Sequence, residues 1–277
     1  MCKIIQVLVC YFNEEEIVDF AMKIFEQDIA PNKVVIVDNG SRKKDLLSTI
    51  QKKYPERILL KNPGKNLGYW GAFEMAIKEK EEYDYYILSN SDISFLDIDF
   101  YKNICKCQLT SKKRIGIIAP TILSKDLKHN LNPFLFNRSS VRKIKILKMI
   151  YKNELFAIIY NLLHYIKNYF SIKKEIINID STSGRQNDIY APHGSFMIFT
   201  RQFINKNTFN YKAFLFGEEI YVGEVCKKLN LKVRYYPNLK LIHNEHTTTG
   251  FFQTGMLLKY KYDSLCFLYN FLKENNK

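Results

Sequence analysis

No two of the six cysteines, at positions 2, 10, 105, 107, 226 and 266, show the C-x-x-C spacing of a zinc or dithiol redox site. Cys105-x-Cys107 lies in a lysine-rich polar stretch. The expectation is six reduced thiols in a cytoplasmic protein. The chain also lacks any run of about 18 uninterrupted apolar residues, so no segment is expected to span a bilayer. Its apolar start, Met1 to Phe12, gives way at once to Asn13-Glu14-Glu15-Glu16, which reads as a buried strand and not as a signal peptide. Helix-turn-helix, zinc-finger and RNP patterns are absent, which argues against nucleic acid as a partner. No internal repeats stand out. Acidic residues are scarce, 28 against 42 Lys plus Arg, for a formal charge of +14. An anionic membrane surface or a phosphorylated substrate then remains to account for the excess.

What is present is enough for a sizeable core: 277 residues, 47% hydrophobic and 14% aromatic. Ile4–Tyr11 is a continuous apolar run, as in a parallel strand covered on both faces. Glu14–Gln27 carries a helical stripe, Lys33–Val37 predicts a strand, Arg42–Lys53 a helix and Arg57–Lys61 a strand. Tyr69–Lys80 follows as a helix and Tyr85–Ser89 as a strand. Such β-α-β repetition predicts an α/β fold, an open and mostly parallel sheet with helices on both faces. Ligands of such sheets bind beyond the carboxyl ends of the strands. The polar residues at 12–14, 38–41 and 90–92 all fall at such ends.

Residues 121–188 break the pattern. Val141–Phe170 has apolar residues at 144, 147, 151, 155, 158, 162, 166 and 169, while Arg142, Lys143, Lys145, Lys148 and Lys152 crowd its first half. One or two basic amphipathic helices are expected, either packed on the core with solvated lysines or touching an anionic membrane. Ile189–Thr200 regains strand character around His193-Gly194-Ser195, a helix is expected through Leu229, and Lys232–Tyr236 and Lys240–His243 read as two short strands. Met256–Leu272 is apolar at helical spacing. The expected domains are 1–250, interrupted by the insertion at 121–188, with a C-terminal helix in 251–277.

Several motifs can carry chemistry, each with a plain structural alternative. Asp38 can accept hydrogen bonds from a ribose hydroxyl or a base N–H, or cap a helix. Asp92, in Asn90-Ser91-Asp92, can bind Mg²⁺ or Mn²⁺, or close an Asx turn. Gly64-Lys65-Asn66-Leu67-Gly68 opens a helix whose N-terminus attracts phosphate, though it is neither a P-loop nor G-x-G-x-x-G. Glu218-Glu219 supply a carboxylate base beside a second negative charge, or two first-turn acids favoured by the helix dipole. His243-Asn244-Glu245-His246 ends a strand, and His243 can complete a metal site begun by Asp92.

Their order along the chain is the specific signal. Tyr11-Phe12-Asn13-Glu14-Glu15, Val37-Asp38-Asn39-Gly40-Ser41, Asn66-Leu67-Gly68, Asn90-Ser91-Asp92, Gly217-Glu218-Glu219 and Ile242-His243 resemble family 2 glycosyltransferases of the GT-A fold. The look is of the bacterial rhamnosyltransferase-like branch. The resemblance covers roughly residues 3–120 and 187–250. It implies a Rossmann-like GT-A domain bearing a basic helical insertion. Phe12, Asn13 and Asp38 would contact the nucleotide, with Lys65 and Asn66 lining the diphosphate side and Asn90 and Ser91 beside them. Asp92 matches the last Asp of the family's D-x-D, and His243 matches a metal-binding His. Glu219 stands at the catalytic base with Glu218 beside it, and His193-Gly194-Ser195 lies under the acceptor. Asn90 departs from the first D-x-D Asp, and Glu219 replaces an Asp with a side chain longer by one methylene.

The implied reaction is a metal-dependent inverting transfer from a nucleotide-sugar donor, dTDP-rhamnose or a UDP-hexose, with Mg²⁺ or Mn²⁺ as cofactor. The acceptor would be a glycan or polyprenyl-diphosphate-linked hydroxyl in bacterial surface polysaccharide synthesis, of capsule or lipopolysaccharide. The expected location is the cytoplasm, with peripheral contact to the inner face of the plasma membrane as one reading of the insertion. A sugar nucleotidyltransferase is the alternative, but it should carry a glycine-rich, Arg-containing loop where this chain reads Cys10-Tyr11-Phe12-Asn13. An inactive relative is the other.

Overall fold

A computed structural model describes residues 2–78, 82–107, 114–175, 187–207, 209–244 and 255–275, without the side chains of 167–175. The first strands follow from paired burial. In β1 (Ile4–Cys10), Ile5 and Val7 face one apolar layer, while Ile4 and Leu8 face another. Alternate residues thus pack on opposite sides, and the run needs no polar position. β2 (Lys33–Asp38) and β3 (Ile58–Lys61) extend the sheet on one flank and β4 (Tyr85–Ser89) on the other, all parallel.

The sheet continues through β8 (Phe196–Thr200), β6 (Ile115–Ser124), β9 (Lys232–His243) and β5 (Ile93–Phe95), in the order β3-β2-β1-β4-β8-β6-β9-β5. β7 (Asp188–Ile189) pairs with β9. Six of these nine strands run one way, and β5, β7 and β8 run against them. Helices α1 (Glu14–Phe25), α2 (Lys44–Lys53) and α4 (Phe100–Lys106) cover one face. On the other lie α3 (Gly68–Ala76), α7 (Arg201–Lys206), α8 (Glu218–Lys228) and α9 (Met256–Glu274).

Four expectations need correction. Lys232–His243 is one strand and not two. Pro237 lacks an N–H for the ladder, so the register along β6 shifts between Pro120 and Thr121 and pairing resumes at Lys240. Residues 121–124 therefore belong to the sheet, and the insertion begins after them. Ile189–Thr200 is not a continuous strand: the chain leaves β7, crosses in a loop through Ser195 and re-enters as β8. The apolar stripe of 141–170 does not stay on one side either. Helix α5 (Val141–Tyr151) buries Ile144 and Tyr151, whereas α6 (Glu154–Glu175) leaves Leu155, Leu162 and Ile166 exposed. The break at Lys152–Asn153, where the Asn153 carboxamide accepts from Phe156 N, resets the helical phase. His246 and Glu245 lie outside the described residues.

A buried ion pair ties the segment before α5 to the domain. Arg138 donates from Nε and Nη2 to the Glu224 carboxylate at 2.8 and 2.6 Å, and the Tyr190 hydroxyl donates to it at 3.0 Å. Glu224 is only 1% exposed, so it depends on these donors. Arg138→Met should cost about 3 kcal/mol in urea unfolding, because a buried carboxylate loses its counter-ion. Adding Glu224→Leu should recover at least half of that loss.

Candidate active site

Sheet register delivers the polar loops to one rim. Cys10 pairs with Asp38 and Leu8 with Ser89, so the segments after β1, β2 and β4 leave the sheet side by side. Antiparallel β8 starts opposite Ser89, which brings His193-Gly194-Ser195 to the same edge, and Asn90 N donates to Ser195 O at 2.8 Å. His243 pairs with Ile93, immediately after Asp92.

Within this rim the Asn13 carboxamide is a tie between strand ends. Its oxygen accepts from Tyr11 N at 2.8 Å and its nitrogen donates to Ser91 Oγ at 2.9 Å. Ser91 in turn donates to Glu16. Asp38 is buried and accepts from Gly40 N at 3.1 Å and from the Ser41 hydroxyl at 2.8 Å, which leaves each oxygen a further lone pair. Phe12 is exposed with φ +59°, and the Arg42 guanidinium lies 4.6 Å from its ring centre. Asn39, which sequence reasoning passed over, binds the glycine loop: it donates to Gly68 O at 3.0 Å and accepts from Leu67 N at 3.3 Å. Asn66 folds that loop by accepting from Gly68 N at 2.9 Å. Gly68, at φ +73°, presses on the Phe214 carbonyl, so a side chain there would collide with backbone. Lys65 is exposed on this loop.

The carboxylates meet around Gly194. A Cβ on Gly194 would lie 2.6 Å from Glu219 Oε1, so the missing side chain is what admits the carboxylate. Glu218 and Glu219 open α8, after Gly217 turns the chain at φ +87°. The Tyr69 hydroxyl donates to Gly194 O at 3.1 Å. Burial, then the charges of Glu218, Asp92 and Glu219, hold the Tyr69 phenol far above its ordinary range, so it stays a donor. That one phenol feels all three acids, which marks how closely they gather. Burial and the neighbouring Glu219 push Glu218 up to about 8, and Glu218 Oε1 has no hydrogen-bond partner. Burial also raises Glu219, opposed by its own backbone N–H and by Lys261. Lys261, on α9, is itself shifted down by burial. Both carboxyls of the pair are thus raised by burial, and Lys261 favours charge on Glu219 over Glu218.

Asp92 and His243 are the metal candidates. Asp92 Oδ1 and His243 Nε2 approach to 3.1 Å, yet the contact is not an aligned hydrogen bond, and both atoms, with His243 Nδ1, are buried without a hydrogen-bond partner. Burial would raise the Asp92 carboxyl, but the adjoining His243 and a hydrogen bond from Asn90 bring it below its usual value. One anionic oxygen and one imidazole nitrogen left unsatisfied together suit a divalent cation. Among the described residues no group of three or more His, Cys, Asp or Glu side chains could hold a metal. The protein would thus furnish part of a coordination shell, to be completed by diphosphate oxygens and water. His193 stacks edge-on 5.7 Å from His243, shares a hydrogen bond with Ser195 Oγ at 2.9 Å and is held neutral by burial, with its pKa lowered to about 4. Asn90, expected beside the nucleotide, also acts on the Asp92 carboxyl, which its side chain helps to lower.

A mostly parallel α/β sheet with carboxylates gathered at its strand ends places the candidate site where such sheets bind their ligands. Residues 6–103 match the family model for glycosyl transferase family 2, and the sheet and helices have the GT-A fold of solved glycosyltransferases. No curated protein matches the sequence. Among solved structures it is similar to the mannosyltransferase PcManGT from Pyrobaculum calidifontis in complex with GDP-Man and Mn²⁺. That match has a TM-score of 0.58 and 10% identity, over 99% of this chain and 73% of the other. It is similar to GalNAc-T7 with UDP, GalNAc and Mn²⁺ (TM-score 0.59, 12% identity, 99% of this chain and 55% of the other). S. aureus TarS 1–349 follows (TM-score 0.54, 11% identity, 87% and 60%). The chain thus spans 55% to 73% of the length of these structures, and at such identities the likeness is one of fold. The sugar nucleotidyltransferase alternative is not favoured.

The acid pair leaves a stability signature. Folded Glu218 titrates above its ordinary 4.5, so the folded chain binds the extra proton, and stability falls as pH rises from about 4.5 through about 8. Glu218→Gln stays neutral and escapes this decline. Its Tm should exceed that of the native chain by roughly 2–5 °C at pH 8.5, with the gap closing near pH 5. An equal gap at both values would place the raised titration elsewhere.

Proposed function

We propose that the chain is an inverting glycosyltransferase, moving a sugar from a nucleotide-diphosphate donor to a hydroxyl of a glycan or lipid-linked acceptor. The observation that carries this reading is the meeting of Glu219 with Gly194, one residue from His193 and the Asp92–His243 pair. A base and a metal-binding pair on one rim are what a single displacement at an anomeric carbon requires. PcManGT, GalNAc-T7 and TarS, whose solved complexes hold GDP-Man, UDP with GalNAc, and UDP-GlcNAc, lend support by shared fold.

Asp38 and Asn13 hold the nucleoside end, Phe12 offers an exposed aromatic face beside it, and Lys65 and Asn66 lie on the diphosphate side. Mg²⁺ or Mn²⁺ on Asp92 and His243 would supply Lewis-acid stabilisation of the departing diphosphate. Glu219 takes the proton of the acceptor hydroxyl as that oxygen bonds to the anomeric carbon. The bond from that carbon to the diphosphate oxygen breaks on the opposite side, which inverts the centre. Glu218, neutral at pH 7, places no second charge beside the base. His193 stays neutral and, with Ser195, floors the acceptor side. The rhamnosyltransferase-like motif order makes dTDP-rhamnose or a UDP-hexose the donors to try, and the location proposed is the cytoplasmic side of the membrane, in surface polysaccharide synthesis.

Glu219→Gln should lose transfer by at least about a hundredfold while binding donor as the native chain does. Donor affinity is read by thermal shift across UDP-, dTDP- and GDP-sugars with and without Mn²⁺. Full turnover in that variant would put the base elsewhere. Asp92→Asn should abolish the Mn²⁺-dependent part of the donor shift, and an unchanged shift would remove Asp92 from the metal site.

A further inference from the structure

Helix α6 presents an outward face made for an apolar medium. Leu155, Phe156, Ile159, Leu162, Leu163 and Ile166 fall within an arc of about 120° at helical spacing, and all six are exposed, Leu155 at 63%, Phe156 at 59% and Leu163 at 61%. Buried Ala157 lies on the opposite side of the helix. A helix on a water-soluble domain ordinarily reverses this order, with its apolar stripe inward and polar residues outward. Contiguous exposed apolar residues on this scale mark a binding surface.

The neighbouring helix says what the partner is. Outward positions of α5 alternate Ile146 and Met149 with Arg142, Lys145 and Lys152, all exposed. Glu154, the first residue of α6, has its Oε1 accepting from Gly255 N at 2.9 Å. Apolar residues flanked by cations match an anionic lipid interface, where acyl chains take the hydrophobic side chains and headgroups the ammonium and guanidinium groups. A second copy of this chain would bring the same cations against themselves, which disfavours self-association through this face. Among the described residues no helix is long and apolar enough to cross a membrane, so the contact is with the surface.

We infer that the α5–α6 face seats the protein on an anionic bilayer. The docking stands on this face alone. A consequence, which rests on the proposed transfer, is that a lipid-linked acceptor reaches the base from the membrane plane. Lys261 links the two regions: its ammonium lies 5.1 Å from the ring centre of Tyr151, the last residue of α5, and 5.9 Å from that of Phe216, two residues before Glu218.

The test is flotation of the full chain with vesicles of phosphatidylcholine alone and of phosphatidylcholine with phosphatidylglycerol. The native chain should float with the anionic vesicles, weakly with the neutral ones, and should release in high salt. The triple variant Leu155→Ser/Phe156→Ser/Leu163→Ser should bind anionic vesicles roughly tenfold or more weakly. Arg142→Glu/Lys145→Glu should lose a comparable amount, through charge. Both variants alter exposed side chains away from the rim, so an unchanged Tm and an unchanged donor thermal shift show that fold and donor site survive. Native-like flotation of both variants would overturn the inference, as would no flotation of the native chain. A concentration-dependent dimer that the triple variant abolishes, without vesicle binding, would also overturn it and identify a self-association surface. Donor binding is read separately, so loss of docking and loss of the transferase reading give different results.

Discussion

The space that a Cβ of Gly194 would fill holds the carboxylate of Glu219. The rest of the rim is arranged around that contact. It fixes α8 against the loop before β8, and that loop is fixed in turn by Asn90 N on Ser195 O and by His193 N, which donates to Asn132 Oδ1 at 2.7 Å. Since β8 lies antiparallel between β4 and β6, its leading loop arrives where parallel strands release their trailing ones. The mixed direction of the sheet is therefore what brings an acid from late in the chain to the loops of its first hundred residues.

Electrostatics follow from that crowding. Three acids, Asp92, Glu218 and Glu219, stand near the half-buried Tyr69 phenol. Their environments differ, and that separates their behaviour. Asp92 has His243 and Asn90 and is drawn down, Glu218 has burial and a like charge and is driven up, and Glu219 lies between, with Lys261 opposing its burial. The proposed transfer, which asks one site to hold a cation and accept a proton, would draw on such a spread.

Much of this was legible in the sequence. β1, β2 and β4 appear as apolar runs because both faces are buried, and the polar residues that end them are the residues of the rim. Asp92 lies by His243 and Glu219 by Gly194, and all four stand in motifs that the sequence singled out. Other features carried no local signal. Lys232–Tyr236 and Lys240–His243 read as two strands, yet a shifted register carries β9 past Pro237. The phase reset at Asn153 turned one apparent stripe into two faces. Tyr69, Asn39 and Lys261 act at the site through contacts with residues 28 to 125 positions distant or through a packed helix, and no pattern within their own segments records this. β5 and α4, three and seven residues long, are too short for periodicity to reveal.

The central claim is that this rim binds a divalent cation and a nucleotide diphosphate together, and anomalous diffraction from crystals grown with Mn²⁺ and a nucleoside diphosphate tests it most directly. The account predicts one strong manganese peak within coordination distance of both Asp92 Oδ1 and His243 Nε2, touching the diphosphate. Nucleotide bound in the rim with no manganese at that pair, or manganese bound elsewhere, would contradict it.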